Sequence, residues 1–160
     1  MTKTHITAPP GVPFIEVVRE FDAPRELIYR AHVDPDLIVQ WMGPRGYEMV
    51  VESWDVRDGG AWRYVHRDGE GNEYGFHGVF HGPASPDAMV QTFEFEGAPG
   101  HVSLGTVRFE ERDGRTIVSV HSVYQSVEDR DAVVASGMDR GMSEGYERLD
   151  ALVATLVPVA

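Results

Sequence analysis

The apolar residues of this chain are spaced first as in a strand, then as in two brief helices, then as in a series of strands, and finally as in a long helix. The run F-I-E-V-V-R-E-F at 14–21 is rich in β-branched and aromatic residues and predicts a first strand. Asp22-Ala23-Pro24 opens a helix through Leu27, Ile28 and Ala31, with proline preset for the first turn. Asp34-Pro35 ends that helix and caps a second one carrying Leu37, Ile38 and Trp41, which stops at Gly43-Pro44. From there to Tyr124 the period is that of strands: 47–56, 61–67, 74–81, 89–96, 106–111 and 116–124. Turn signals separate them, among them Asp58-Gly59-Gly60, Asp68-Gly69 and Asp113-Gly114. Connections this short make consecutive strands antiparallel neighbours.

The last stretch, Ser126 to Val157, predicts one long amphipathic helix. Ser126 followed by Asp129 is a capped start. Met138, Met142, Tyr146 and Leu149 then follow one another along a single face, with charged residues over much of the rest. Gly137, Gly141 and Gly145 form a second row at a spacing of four. Each interior glycine costs a helix roughly 1 kcal/mol relative to alanine, so the row needs a reason. Either another backbone approaches closely there or a ligand needs the room. Charges between the glycines exclude the membrane version of this pattern.

Alternation also assigns faces. Trp62, Tyr64 and His66 share one side of their strand, opposite Arg63, Val65 and Arg67. Tyr74, Phe76 and Phe80 face together, as do Met89, Phe93 and Phe95, and Val107 with Phe109. In 116–124 both faces carry apolar residues and neither is assigned. The expected result is one curved sheet with an aromatic concave face meeting the terminal helix, and Trp41 closing one end. Those aromatics serve equally as core filling or as the wall of a ligand pocket.

A chain of 160 residues, 42% hydrophobic and 25% charged, fits one domain with its own core. Residues 1–13 carry three prolines and no periodicity, and are expected to be a flexible leader before a single domain at 14–157. No apolar run is long enough for a membrane span. With no cysteine there is no disulfide framework and no thiolate chemistry, which fits a cytoplasmic location. A net charge of −12 argues against nucleic acid or an anionic membrane as partner.

Several local strings then converge. The chain resembles the activator of heat-shock protein 90 ATPase homologue-like group, within the START-related SRPBCC (polyketide cyclase/dehydrase-like) superfamily. The resemblance rests on F-D-A-P-R-E-L-I-Y-R-A at 21–31, D-P-D-L-I-V-Q-W-M-G-P at 34–44, R-D-G-G-A-W-R-Y at 57–64 and Y-G-F-H-G-V-F at 74–80. The tail adds Ser136-Gly137-Met138, Gly141, Glu144, Tyr146 and Arg148-Leu149. Met42 departs from it, since the family often has a second tryptophan there. The resemblance implies an α+β helix-grip fold: a curved antiparallel sheet wrapped around a long C-terminal helix, two short helices after the first strand, and a cavity between. It also implies binding of a hydrophobic small molecule, lipid-, polyketide- or aromatic-like. It allows a homodimer without requiring one. The co-chaperone role in the family name is not carried over, because the eukaryotic co-chaperone contacts its chaperone largely through a separate N-terminal domain. A chaperone partner stays as an alternative, as does a cyclase- or dehydratase-type activity.

The expected lining of that cavity is Trp41, Trp62, Tyr64, Phe76 and Phe93 from the first helical region and the sheet, with Met138, Met142 and Tyr146 from the terminal helix. His66 and His121 are the expected interior polar handles. An enzyme would need an acid or base aimed into the cavity. His66, His77, His81, His121, Glu94, Arg63, Arg108, Tyr64, Tyr124 and Tyr146 are available, but no dyad or triad spacing stands out and no catalytic residue is assigned. His77 and His81 oppose Phe76 and Phe80 and so belong outside; no metal site and no cofactor is called for.

Overall fold

The computed structural model describes residues 2–156. Its elements run β1 (His5–Thr7), β2 (Phe14–Phe21), α1 (Arg25–Val33), α2 (Pro35–Ile38), β3 (Glu48–Trp54), β4 (Ala61–Arg67), β5 (Glu73–His81), β6 (Ala88–Phe95), β7 (Val102–Arg112), β8 (Arg115–Val123), α3 (Val127–Ala135) and α4 (Met138–Val153). The eight strands form one antiparallel sheet in the order β1-β2-β8-β7-β6-β5-β4-β3. This is the curved sheet closed by a C-terminal helix that the sequence implied. No described helix is long and apolar enough to cross a membrane.

The hairpins follow the turn residues. Asp113 and Gly114 both take positive φ, 53° and 78°, which is the two-residue turn that a right-twisted hairpin prefers. It fixes the β7–β8 register from Arg112 opposite Arg115 to Leu104 opposite Val123. That register settles the strand that alternation left open. Thr116 and Val118 on β8 are fully buried, while Ile117, Ser119 and His121 lie on the other side.

Two expectations are corrected. The leader is not free of structure: His5–Thr7 pairs with β2, Ile6 lying opposite Val17. The guanidinium of Arg130, itself 3% exposed, donates to the carbonyl of Pro9 at 2.8 Å and so ties the approach to β2 down. The long terminal helix is two helices. The Ser126 cap forms, its hydroxyl accepting from Asp129 N at 3.0 Å, but α3 ends at Ala135. Gly137, at φ 87°, turns the chain into α4. Left-handed backbone costs glycine nothing, so the break sits where a side chain would oppose it. Val157, the last residue of the expected helix stretch, lies outside the described residues.

The packed core lies at one end, between α1, α4 and the strands β2, β7 and β8. Phe21, Ile28, Val118 and Leu149 are fully buried there. Full burial of side chains this size stabilises by about 1.5–3 kcal/mol each. Two buried hydrogen bonds seat the helices: Thr116 Oγ1 donates to Ala23 O at 2.7 Å, and Trp41 Nε1 donates to Ala31 O at 2.9 Å. The second places Trp41 just after α2, which is a single turn and shorter than expected.

Candidate functional site

Away from that core, the sheet and α4 separate and enclose a cavity of about 500 Å³. Its floor is the concave face of the sheet. Trp62 and Tyr64 stack with centroids 5.3 Å apart, and His66 follows Tyr64 at 5.0 Å, so β4 contributes a row of rings. Phe76 lies 5.2 Å from Tyr64 and 5.4 Å from Phe93, which extends the row across β5 and β6. Gly78, directly opposite Trp62 in the register, makes this possible: a Cβ there would come 2.7 Å from Trp62 Cζ2. The roof is α4, through Met138, Met142 and Tyr146. Trp41 stacks on Tyr146 at 6.0 Å and closes the end toward the core.

Nine of the ten residues expected at the site therefore line the cavity. His121 does not. It sits on the outer face of β8, opposite Glu16 of β2, with Nδ1 3.1 Å from Glu16 Oε1. The β8 positions that face inward are the even ones, and a one-residue offset reverses the face. His77, too, is outside as expected, with Nδ1 2.9 Å from Glu96 Oε2 and Nε2 3.5 Å from Glu94. Arg63 adds two bonds of 2.8 Å to the same Glu96 carboxylate, and together these hold its pKa down to about 2, Arg63 being the larger cause. Among the described residues no cluster of three or more His, Asp or Glu is arranged to hold a metal ion.

The three glycines of the terminal helix answer the sequence question differently. Gly137 makes the turn between helices. Gly145 is a close approach: a Cβ there would lie 3.3 Å from Gly43 N and Trp41 O. Gly141 lines the cavity, and its nearest neighbour would be Pro44 Cδ at an ordinary 3.6 Å. So the row turns the chain at Gly137, leaves cavity space at Gly141 and admits the loop backbone at Gly145. The loop from Trp41 to Tyr47 that packs here is fastened to α4 by polar contacts. Arg148 donates to Gln40 O at 2.9 Å, and Arg45 N donates to Glu144 Oε1 at 2.8 Å.

Among the described residues, no Asp, Glu, Lys or Arg lines the cavity. Its two histidines are neutral: burial lowers His66 to about 4, helped by the nearby Arg148 charge, and burial lowers His32 to about 4 against its own bond to the backbone. His32 Nδ1 lies 2.7 Å from Ile28 O and so carries the proton in the neutral ring. Burial likewise raises Tyr64 and Tyr146 well above ordinary phenols, so both remain protonated. Among the described residues, two fully buried side-chain nitrogens have no partner, Trp62 Nε1 and His66 Nε2. The other two indoles are both satisfied, Trp54 Nε1 donating to Val33 O at 2.8 Å.

Sequence reasoning missed part of the lining. His32, on α1, lies between Trp41 and Phe109 at centroid distances of 4.9 and 5.1 Å. Gln91, Ser103, Gly105 and Ser122 line the sheet side, and Tyr124, considered only as a group available to an enzyme, joins them. Strand parity would have found Gln91, in line with Met89 and Phe93, and Ser103, in line with Val107 and Phe109. No such signal existed for Ser122 until β8 had a register.

The sequence model of the family described as Activator of Hsp90 ATPase homolog 1-like protein matches residues 22–154. A crystal structure of a Rhodobacter sphaeroides protein superimposes with a TM-score of 0.87 at 29% identity, covering 96% of this chain and 99% of that one. A Mycobacterium smegmatis protein gives 0.86 at 23% identity over 98% and 99% of the two chains. The solution structure of an AHSA1-like protein from Aeromonas hydrophila gives 0.68 at 16% over 91% and 99%; these last two show a shared fold alone. No curated protein matches the chain.

Proposed function

The chain belongs to the Activator of Hsp90 ATPase homolog 1-like family, and from that premise we propose that it binds a hydrophobic small molecule between the sheet and α4. The cavity carries the reading. Its volume of about 500 Å³ lies within the range of small-molecule pockets, its walls are mainly aromatic and aliphatic, and a few polar groups punctuate them. Apolar burial supplies the affinity in such a site, and hydrogen bonds fix orientation. Met138 and Met142 give the roof an adaptable surface, since methionine fills irregular shapes at low cost. Burial keeps His32 and His66 neutral and Tyr64 and Tyr146 protonated, and among the described residues no carboxylate lines the cavity to pair with them, so binding is favoured over cyclase-type catalysis.

Native mass spectrometry of protein purified from its own host, with a thermal-shift screen of uncharged aromatic, sterol and acyl compounds, tests the proposal. A co-purifying mass, or a thermal shift that disappears in Gly141→Leu, is the expected result. Protein that carries nothing and responds to no compound in the screen refutes it.

A further inference from the structure

Gly105 is a glycine that the protein itself does not explain. It lies in the middle of β7, where a missing side chain weakens the strand. Gly75 and Gly78 on β5 are accounted for, because a Cβ at either would collide with Glu96 or Trp62. Gly105 lies within β7 and does not take positive φ, and a Cβ there would meet nothing closer than 3.8 Å. It lines the cavity, in line with Ser103 and Val107 on the inner face. The empty volume is therefore on the ligand side of the sheet, and a strand glycine of this kind marks a place where something outside the sheet comes close.

Polar groups surround the notch. In the register Gly105 is flanked by Gln91 on β6 and Ser122 on β8. Ser122 Oγ would be 3.8 Å from a Cβ at Gly105. Ser103 is two residues earlier on the same face, 7% exposed, opposite Phe93. The Tyr124 phenol, raised by burial, is partly relieved by the Ser122 hydroxyl beside it. These four polar side chains occupy one patch of an otherwise mostly apolar lining, and all four are uncharged.

Resting on the ligand-binding reading above, we infer that the Gly105 notch seats the single polar group of the ligand, and that this group is an uncharged carbonyl or hydroxyl oxygen on a flat ring system. The flat body lies on the row formed by Trp62, Tyr64 and Phe76. The oxygen enters the notch, within reach of Gln91, Ser103 and Ser122. A carboxylate is excluded, because among the described residues no Lys or Arg lines the cavity to offset its desolvation.

A matched set of probes tests this: 9-fluorenone, fluorene and 9-oxofluorene-4-carboxylate, measured by quenching of tryptophan fluorescence. Fluorenone and fluorene share one shape and differ in the carbonyl oxygen. The expected result is fluorenone binding at least about tenfold tighter than both fluorene and the carboxylate. In Gly105→Val, which plugs the notch, and in Gln91→Leu, which removes its amide, the preference for fluorenone over fluorene falls to about twofold or less. Independently of any variant, the Gly105 and Gln91 amide resonances of the wild-type chain shift with fluorenone and stay in place with fluorene. Equal affinity of wild type for fluorene and fluorenone, or for fluorenone and the carboxylate, overturns the inference while leaving the cavity a binding site. So does a preference that survives both variants. Failure of all three probes to bind overturns the inference, and the wider screen of aromatic, sterol and acyl compounds then decides the ligand-binding reading.

Discussion

Acid should unfold this protein through two buried histidines before most of its carboxylates titrate. His32 and His66 are 6% and 8% exposed, and each is held near pKa 4 in the folded chain against about 6.5 when unfolded. A histidine whose folded pKa is lowered binds fewer protons folded than unfolded. Its contribution to stability is complete above pH 6.5 and is lost as the pH falls from there toward 4. At pH 5 each ring has lost about 2 kcal/mol, so the pair has lost about 4 kcal/mol, a large share of the 5–15 kcal/mol typical of a domain. Urea unfolding at pH 8, 7, 6 and 5 measures it. The expected curve is flat from 8 to 7 and then falls steeply, with the slope approaching two protons per molecule near pH 5. His66→Gln, which keeps a neutral polar group, should remove about half of that slope, and His32→Gln the other half. If stability at pH 5 equals that at pH 8, or if neither variant changes the slope, the two rings are not buried neutral and the reasoning fails.

Other expectations concern packing. Gly145→Ala should destabilise by about 1–3 kcal/mol, because its Cβ enters the tight contact with Trp41 O and Gly43 N, whereas Gly141→Ala should be neutral or stabilising by up to about 1 kcal/mol. Chemical denaturation of both variants decides it, and the reverse order would refute the assignment of the two glycines. Thr116→Val should cost about 1–3 kcal/mol by leaving Ala23 O without its buried donor, read as a lower urea midpoint with unchanged m-value. Ser126→Ala should cost about 1 kcal/mol through loss of the α3 cap, with amide exchange speeding up at Asp129 and not in α4.

The fold was legible because each level of the sequence agreed with the next. Turn residues such as Asp113-Gly114 divided the strands, short connections made them antiparallel, and the facing of Trp62, Tyr64 and Phe76 chose the concave side. Errors fell where local pattern is silent. The strand at His5–Thr7 has three residues and three prolines around it, and it exists because β2 offers an open edge and Arg130 anchors Pro9 from across the chain. Gly137 looked like one more member of a helical row, since spacing does not reveal that one glycine of three takes positive φ.

Within the site the division is similar. From the sequence alone came the aromatic floor, the methionine roof and the buried His66, because strand parity and helical spacing determine which residues share a face. Only the tertiary structure decided that α4 meets the Trp41–Gly43 backbone tightly at Gly145 and leaves ordinary space beside Gly141, since that depends on the path of the Trp41–Tyr47 loop. It alone placed His121 outside and Ser122 inside, because both faces of β8 are apolar enough to be buried and hydrogen-bond register, not hydrophobicity, made the choice. And it alone distinguished Gly105 from Gly78: both are glycines within strands, but the space beside one is filled by Trp62 and the space beside the other opens into the cavity.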